Sequence, residues 1–179
     1  MVQLYIIGTL HLSYTPLHEL EEEVGKINPS MIGVEICQKD IDNNSLQSYP
    51  PEMQHILDYA KNNNITYFGF DSHINTFNEN IDVKEIEKEL IEEQLKIVEK
   101  YSWKEFNNVE IAQLLNTSKE EELIDSQKFK QRQEEMAQNI KNTISKKLDK
   151  NTKVVIITGC GHLAFLGGEF PDAVLPLRK

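Results

Sequence analysis

Two segments of the chain repeat one short device, Gly8-Thr9-Leu10-His11 and Gly159-Cys160-Gly161-His162. Each sets a histidine three residues beyond a glycine, and each follows an apolar run. The glycine lets the chain turn off a strand, and the histidine is then presented above the sheet edge. Two carboxylates sit at comparable places: Glu35 closes the run Met31 to Ile36, and Asp71 follows the run Ile65 to Phe70. An acid at the end of an apolar run is costly to bury alone, so Glu35 requires a partner. Two imidazoles with one or two carboxylates are a suitable ligand set for a divalent metal with open positions. Such a metal acidifies bound water and polarises a carbonyl. The expected ligands are therefore His11, His162, Glu35 and Asp71, with Asp71 either a ligand or the hydrogen-bond support of a ligating histidine. The ligand types suit manganese, cobalt and zinc alike, and leave the metal's identity open.

A cation belongs to the same group. Phe129, Met136, Ile140 and Ile144 form the apolar stripe of a helix, and Arg132 falls on that stripe. A charge there calls for a buried anion: Glu35, a substrate carboxylate or a developing oxyanion. Asn139, seven residues on, is a weaker candidate on nearly the same face. Cys37 and Cys160 lie beside the motifs. A cysteine nucleophile paired with either histidine is one reading; a small buried hydrophobe is the favoured one. His18, His55 and His73 read as ordinary hydrogen-bonding residues, with His18 and His55 on helices without polar company.

These groups are useful only if the elements beneath them are parallel neighbours. Four apolar runs read as strands, Val2 to Ile7, Met31 to Ile36, Ile65 to Phe70 and Lys153 to Thr158. They are apolar on both faces, as buried parallel strands are. Helical patterns over Pro16 to Lys26 and Pro51 to Asn62 separate the first three. Before the fourth come a charged helix over Asp82 to Lys100, a short one over Ile111 to Leu115 and a long one over Glu120 to Leu148, broken near Asp125-Ser126. The expectation is an α/β fold: a central, largely parallel sheet flanked by helices, in one domain over 1–179, with 82–150 a long helical insertion before the last core strand. A last short strand is expected over Ala173 to Leu177. Ligands of such sheets bind beyond the carboxyl ends of the strands.

The totals narrow the function classes. The 179 residues suffice for one domain with a real core, and 39% hydrophobic with 27% charged residues is ordinary globular composition. A formal net charge of -10 repels phosphate backbones and argues against a nucleic-acid partner. Two cysteines make no disulfide framework. The N-terminal residues show no signal peptide, and no apolar run approaches a membrane span. The expectation is a cytoplasmic protein. Val83, Ile86, Leu90 and Ile97 recur at near-helical spacing, which could serve a homodimer seam or packing on the sheet.

The motifs together resemble a known family. Gly8-Thr9-Leu10-His11-Leu12-Ser13, then Pro29 to Cys37 with Glu35, are similar to the opening of TraB/PrgY proteins. Arg132 to Ala137, then Val154 to Leu163 ending in Gly-Cys-Gly-His-Leu, are similar to the closing part. The segment from about Ile74 to Leu123 shows no such likeness. The resemblance implies kinship with Tiki-type metalloproteases, erythromycin esterases and ChaN-like haem-binding lipoproteins. Tiki-type members use two G-x-x-H motifs, a glutamate and an arginine with manganese or cobalt, which implies His11, Glu35, Arg132 and His162 here. TraB/PrgY members are linked to inhibition of peptide pheromones. No transmembrane C-terminal region of the kind many of them carry is expected here. Erythromycin-esterase relatives are thought to use a histidine base without metal. The expected activity is a metal-dependent hydrolase acting on a peptide or amide bond. Metal-bound water would attack the carbonyl, with Arg132 orienting the substrate or stabilising the oxyanion. The alternatives are a metal-independent esterase with Glu35 or His11 as base, and a non-catalytic protein that binds a peptide or metal.

Overall fold

The computed structural model describes residues 2–11, 14–78, 83–147 and 152–178. Its centre is a sheet of four parallel strands, β1 (Gln3–Thr9), β2 (Met31–Val34), β3 (Thr66–Gly69) and β4 (Lys153–Gly159), in the order β1-β4-β2-β3. β4 therefore lies between β1 and β2. Val154 to Ile157 are wholly buried, with helices covering both faces, which is why this run carries no alternation. Thr9 pairs with Gly159, and Val34 with Ile157, so the strands end almost level.

The helices α1 (Leu17–Ile27), α2 (Gln38–Asp42) and α3 (Pro51–Asn62) complete the first half. Leu20, Val24 and Ile27 of α1 and Met53, Ile56, Leu57 and Ala60 of α3 recur at helical spacing and are buried. Pro51 starts α3, where its missing N–H costs no bond. Asn28 ends α1 in the left-handed conformation, which its short polar side chain tolerates.

The insertion comprises α4 (Val83–Val98), a 3-10 turn (Glu105–Asn107), α5 (Val109–Ala112), a second 3-10 turn (Gln113–Leu115), α6 (Ser118–Leu123) and α7 (Ser126–Lys147). The expected break near Asp125-Ser126 separates α6 from α7. Asp125 accepts from the backbone N–H groups of Gln127 and Lys128, a side-chain cap that starts the new helix. Leu90 and Ile97 of the proposed seam pack within the chain, where α4 rests on α6 and the second turn. Two amides, the buried Asn107 and the exposed Asn139, tie the insertion to opposite edges of the sheet. Asn107 accepts from the Gly8 N–H at 2.7 Å and donates to the Gly8 carbonyl at 3.0 Å. Asn139, on α7, donates to the Phe70 carbonyl at 3.1 Å.

Beyond β4 a 3-10 turn (Cys160–His162) leads into α8 (Leu163–Glu169). The expected strand over Ala173 to Leu177 shrinks to one bridge, in which Val174 bonds Leu4 and Ile6 on the outer edge of β1. Pro176 stands where the next ladder N–H is required, and proline has none. Among the described residues no helix is long and apolar enough to cross a membrane.

Candidate active site at the carboxyl ends of the strands

Because the strands are parallel and end level, the residues just past them share one edge. His11 follows β1, His162 ends the turn after β4, Glu35 follows β2 directly, and Asp71 lies two residues past β3. With Arg132 of α7 they line a single cavity of about 410 Å³, roofed by residues of the insertion including Leu95, Leu115 and Glu120.

Glu35 is the best-bound group in it. Oε2 accepts from the Gly159 N–H and the Thr158 hydroxyl, both at 2.7 Å. Oε1 faces Arg132 Nη2 at 2.9 Å and His162 Nε2 at 3.3 Å. Burial would push this carboxyl's pKa up, but His162, then Arg132 and His11, reverse it and hold it well below the usual range. Asp71 forms a two-point clasp on the same guanidinium, with Oδ1 on Nε at 2.8 Å and Oδ2 on Nη2 at 2.9 Å. Burial works against the charge of Arg132, and these two acids keep it protonated. The stripe position of Arg132 thus has its physical reason: α7 delivers a cation to two acids that lie past adjacent strands.

The histidines have different partners. His11 Nδ1 lies 2.7 Å from Oε1 of Glu52, an acid of α3 that is 1% exposed. A carboxylate can only accept, so Nδ1 carries the proton and Nε2 of the neutral ring keeps its lone pair. The His11 ring is 44% exposed at the rim of the cavity. Desolvation lowers its pKa, but the Glu52 hydrogen bond and the charges of Glu35 and Glu52 outweigh it, leaving the value raised. His162 is buried and stacks on Phe129 with ring centroids 5.4 Å apart. Gln133 Nε2 lies 3.1 Å from its Nδ1. A carboxylate only accepts, so His162 Nε2 carries a proton toward Glu35.

Gly8 and Gly159 matter for close approach rather than for turning. No described glycine has a positive φ, and Gly159 takes φ -59°. A Cβ on Gly159 would lie 2.8 Å from His11 Nε2 and 3.6 Å from Glu35 Oε2. The glycine is what lets the imidazole lie over the end of β4.

The four expected metal ligands share the cavity but do not converge on one point, and they do not fit a single ion as arranged. Glu35 has two donors on each oxygen, and both oxygens of Asp71 are held by Arg132. Among the described residues, the group whose ligand atoms all lie within 4.8 Å of one another is Cys37, Asp40 and His73. There too the acid is engaged: Asp40 Oδ2 accepts the Tyr49 hydroxyl at 2.6 Å, and His73 is exposed. Both cysteines are buried, and burial raises the Cys37 thiol and pushes Cys160 up to about 12, so neither is an activated nucleophile.

Of the remaining histidines, His18 is exposed. His55 departs from expectation, because its Nε2 meets Glu21 Oε2 of α1 at 2.9 Å. Glu52, Gln133 and Glu120 escaped sequence reasoning. Glu52 reads as an ordinary acid in a helix's first turn, and Gln133 as exposed helix surface. Glu120 lies in the stretch without recognisable motif. Comparison with protein-family models, curated proteins and solved structures finds no match to the chain.

Proposed function

We propose that the protein is a hydrolase acting on an ester or amide carbonyl, with His11 as the general base and Glu52 as the group that orients it. The observation that carries this reading is the 2.7 Å contact between His11 Nδ1 and the buried Glu52 carboxylate, with Nε2 left at a cavity rim. A carboxylate on one imidazole nitrogen fixes the tautomer, and the other nitrogen can take a proton from water. A histidine whose pKa lies above its ordinary value is a stronger base, suited to work near neutral pH. Water deprotonated by His11 adds to the carbonyl carbon, and the imidazolium then returns the proton to the leaving oxygen or nitrogen.

Arg132 spends its Nε and Nη2 donors on Asp71 and Glu35, which leaves Nη1 for oxygen charge developing in the cavity. Glu35 and Asp71 serve chiefly to hold that guanidinium. The resemblance to TraB/PrgY proteins and their erythromycin-esterase kin supports a carbonyl substrate and a histidine base. It also supports a peptide as the natural substrate. No metal step enters, because the carboxylates expected to ligate are already engaged.

The test is hydrolysis of p-nitrophenyl esters and peptide p-nitroanilides by the wild type, His11→Ala and Glu52→Gln, each before and after chelation. Activity that survives chelation and falls about 100-fold or more in His11→Ala supports the proposal. Equal activity in His11→Ala refutes it. Activity that vanishes on chelation and returns with manganese, cobalt or zinc replaces it with the metal-dependent hydrolase.

A further inference from the structure

The wall of the cavity opposite the sheet contains an acid that the proposed chemistry does not use. Glu120 lies in the first turn of α6, where Thr117 caps the helix by accepting from the Glu120 N–H. Its side chain lines the same cavity as His162, Phe129 and Arg132. Oε2 is buried, yet it accepts a hydrogen bond from no described residue. It is the one such side-chain atom among the described residues, whereas every oxygen of Glu35 and Asp71 has its donors. A buried oxygen left without a donor is expensive to maintain. Glu120 lines the cavity, and a turn of its carboxylate about the last side-chain bond would present that oxygen to a donor brought by a ligand.

The charges of the cavity say which donor. Arg132 is shared by Glu35 and Asp71, and the nearby Glu52 is hydrogen-bonded to His11. Glu120 adds a further acid, opposed only by His162, which already faces Glu35. The site therefore favours a cationic ligand over an anionic one. The roof around Glu120 is otherwise mostly apolar, with Leu95, Val98, Leu115 and Ile124 facing the cavity and Phe129 across it.

We propose that Glu120 anchors a protonated amine of the ligand, so that the cavity selects an ammonium group carried on a short apolar chain. The inference rests on the reading of this cavity as the substrate site, and adds the chemical class it prefers. Burial raises the Glu120 carboxyl pKa, opposed by the charge of His162, as expected of an acid waiting for a counter-ion.

The test uses probes without a hydrolysable bond, 2-phenylethylamine and its neutral isostere 2-phenylethanol. Each is titrated into wild type, Glu120→Gln and the exposed-site control Glu121→Gln, followed by NMR shifts of the cavity residues. The expected result is amine binding to wild type and Glu121→Gln, weakened about ten-fold or more in Glu120→Gln, with the alcohol weak in all three. Equal amine affinity in wild type and Glu120→Gln overturns the proposal. So does a wild type that binds alcohol as well as amine, or neither; this comparison needs no variant to fold. The outcome is independent of catalysis. Glu120-dependent amine binding in a protein that hydrolyses no ester or anilide sinks the hydrolase and leaves the amine site standing. Hydrolysis that requires His11, with no preference for amines, does the reverse.

Discussion

Replacing Arg132 with methionine should be among the most damaging single changes in the molecule. Methionine retains most of the side-chain length and removes the charge. Three hydrogen bonds to two nearly buried carboxylates disappear with it. The loss is unequal. Glu35 keeps Thr158, Gly159 and His162, whereas Asp71 keeps, among the described residues, the Ser72 N–H on Oδ1. Removing one partner of a buried ion pair costs ~3–5 kcal/mol, because the other charge is stranded. For a chain of this size that is a fall in Tm of roughly 6–20 °C.

The pH dependence carries a sign. Glu35 is pushed up by burial but held well below its ordinary value by His162 first and by Arg132 next. A depressed carboxylate contributes stability that is present above the unfolded pKa and is lost as the pH falls through that value toward the folded one. The Arg132 share of that contribution is absent from the variant. The gap between wild type and variant is therefore widest at neutral pH and narrows below about pH 4, the ordinary carboxylate range. Urea unfolding at both pH values measures it. A second substitution, Asp71→Asn, in the Arg132→Met background should restore part of the loss by removing the stranded charge. A loss under about 1 kcal/mol at neutral pH, or a gap that widens in acid, would refute the reasoning.

In Glu52→Gln the His11 pKa should fall, since the hydrogen bond and charge that offset desolvation are weakened; NMR titration of the imidazole reads this directly. Gly159→Ala should leave the fold intact but displace His11, because the new methyl would sit 2.8 Å from Nε2, and hydrolysis should drop roughly 10–100-fold. A wild-type rate in that variant would show that His11 need not lie over β4. Asn107→Ala strands both the N–H and the carbonyl of Gly8 in a fully buried setting, and should cost about 1–3 kcal/mol in urea unfolding.

What the sequence determined by itself is the framework and its edge. Unbroken apolar runs such as Val154 to Ile157 mark strands buried on both faces, and such strands are parallel because crossover helices must cover them. His11, Glu35, Asp71 and His162 all stand at the ends of those runs, so the sheet alone places them along one edge. The stripe of α7 likewise marked Arg132 as a buried cation before any partner was visible. Tertiary structure decided who meets whom. Arg132 was expected to find an anion, but that it would engage Glu35 and Asp71 together depends on α7 crossing that edge beside β2 and β3. Glu52 became the partner of His11 only because α3, packed on β2 and β3, brings its first turn to the end of β1, and nothing local distinguishes it from any acid in a helix's first turn. Glu120 shows the same limit: its chemistry comes from the enclosure that α4, α6 and α7 build around it. Periodicity records which way a side chain faces, whereas contact between residues tens of positions apart depends on packing angles that no local pattern encodes.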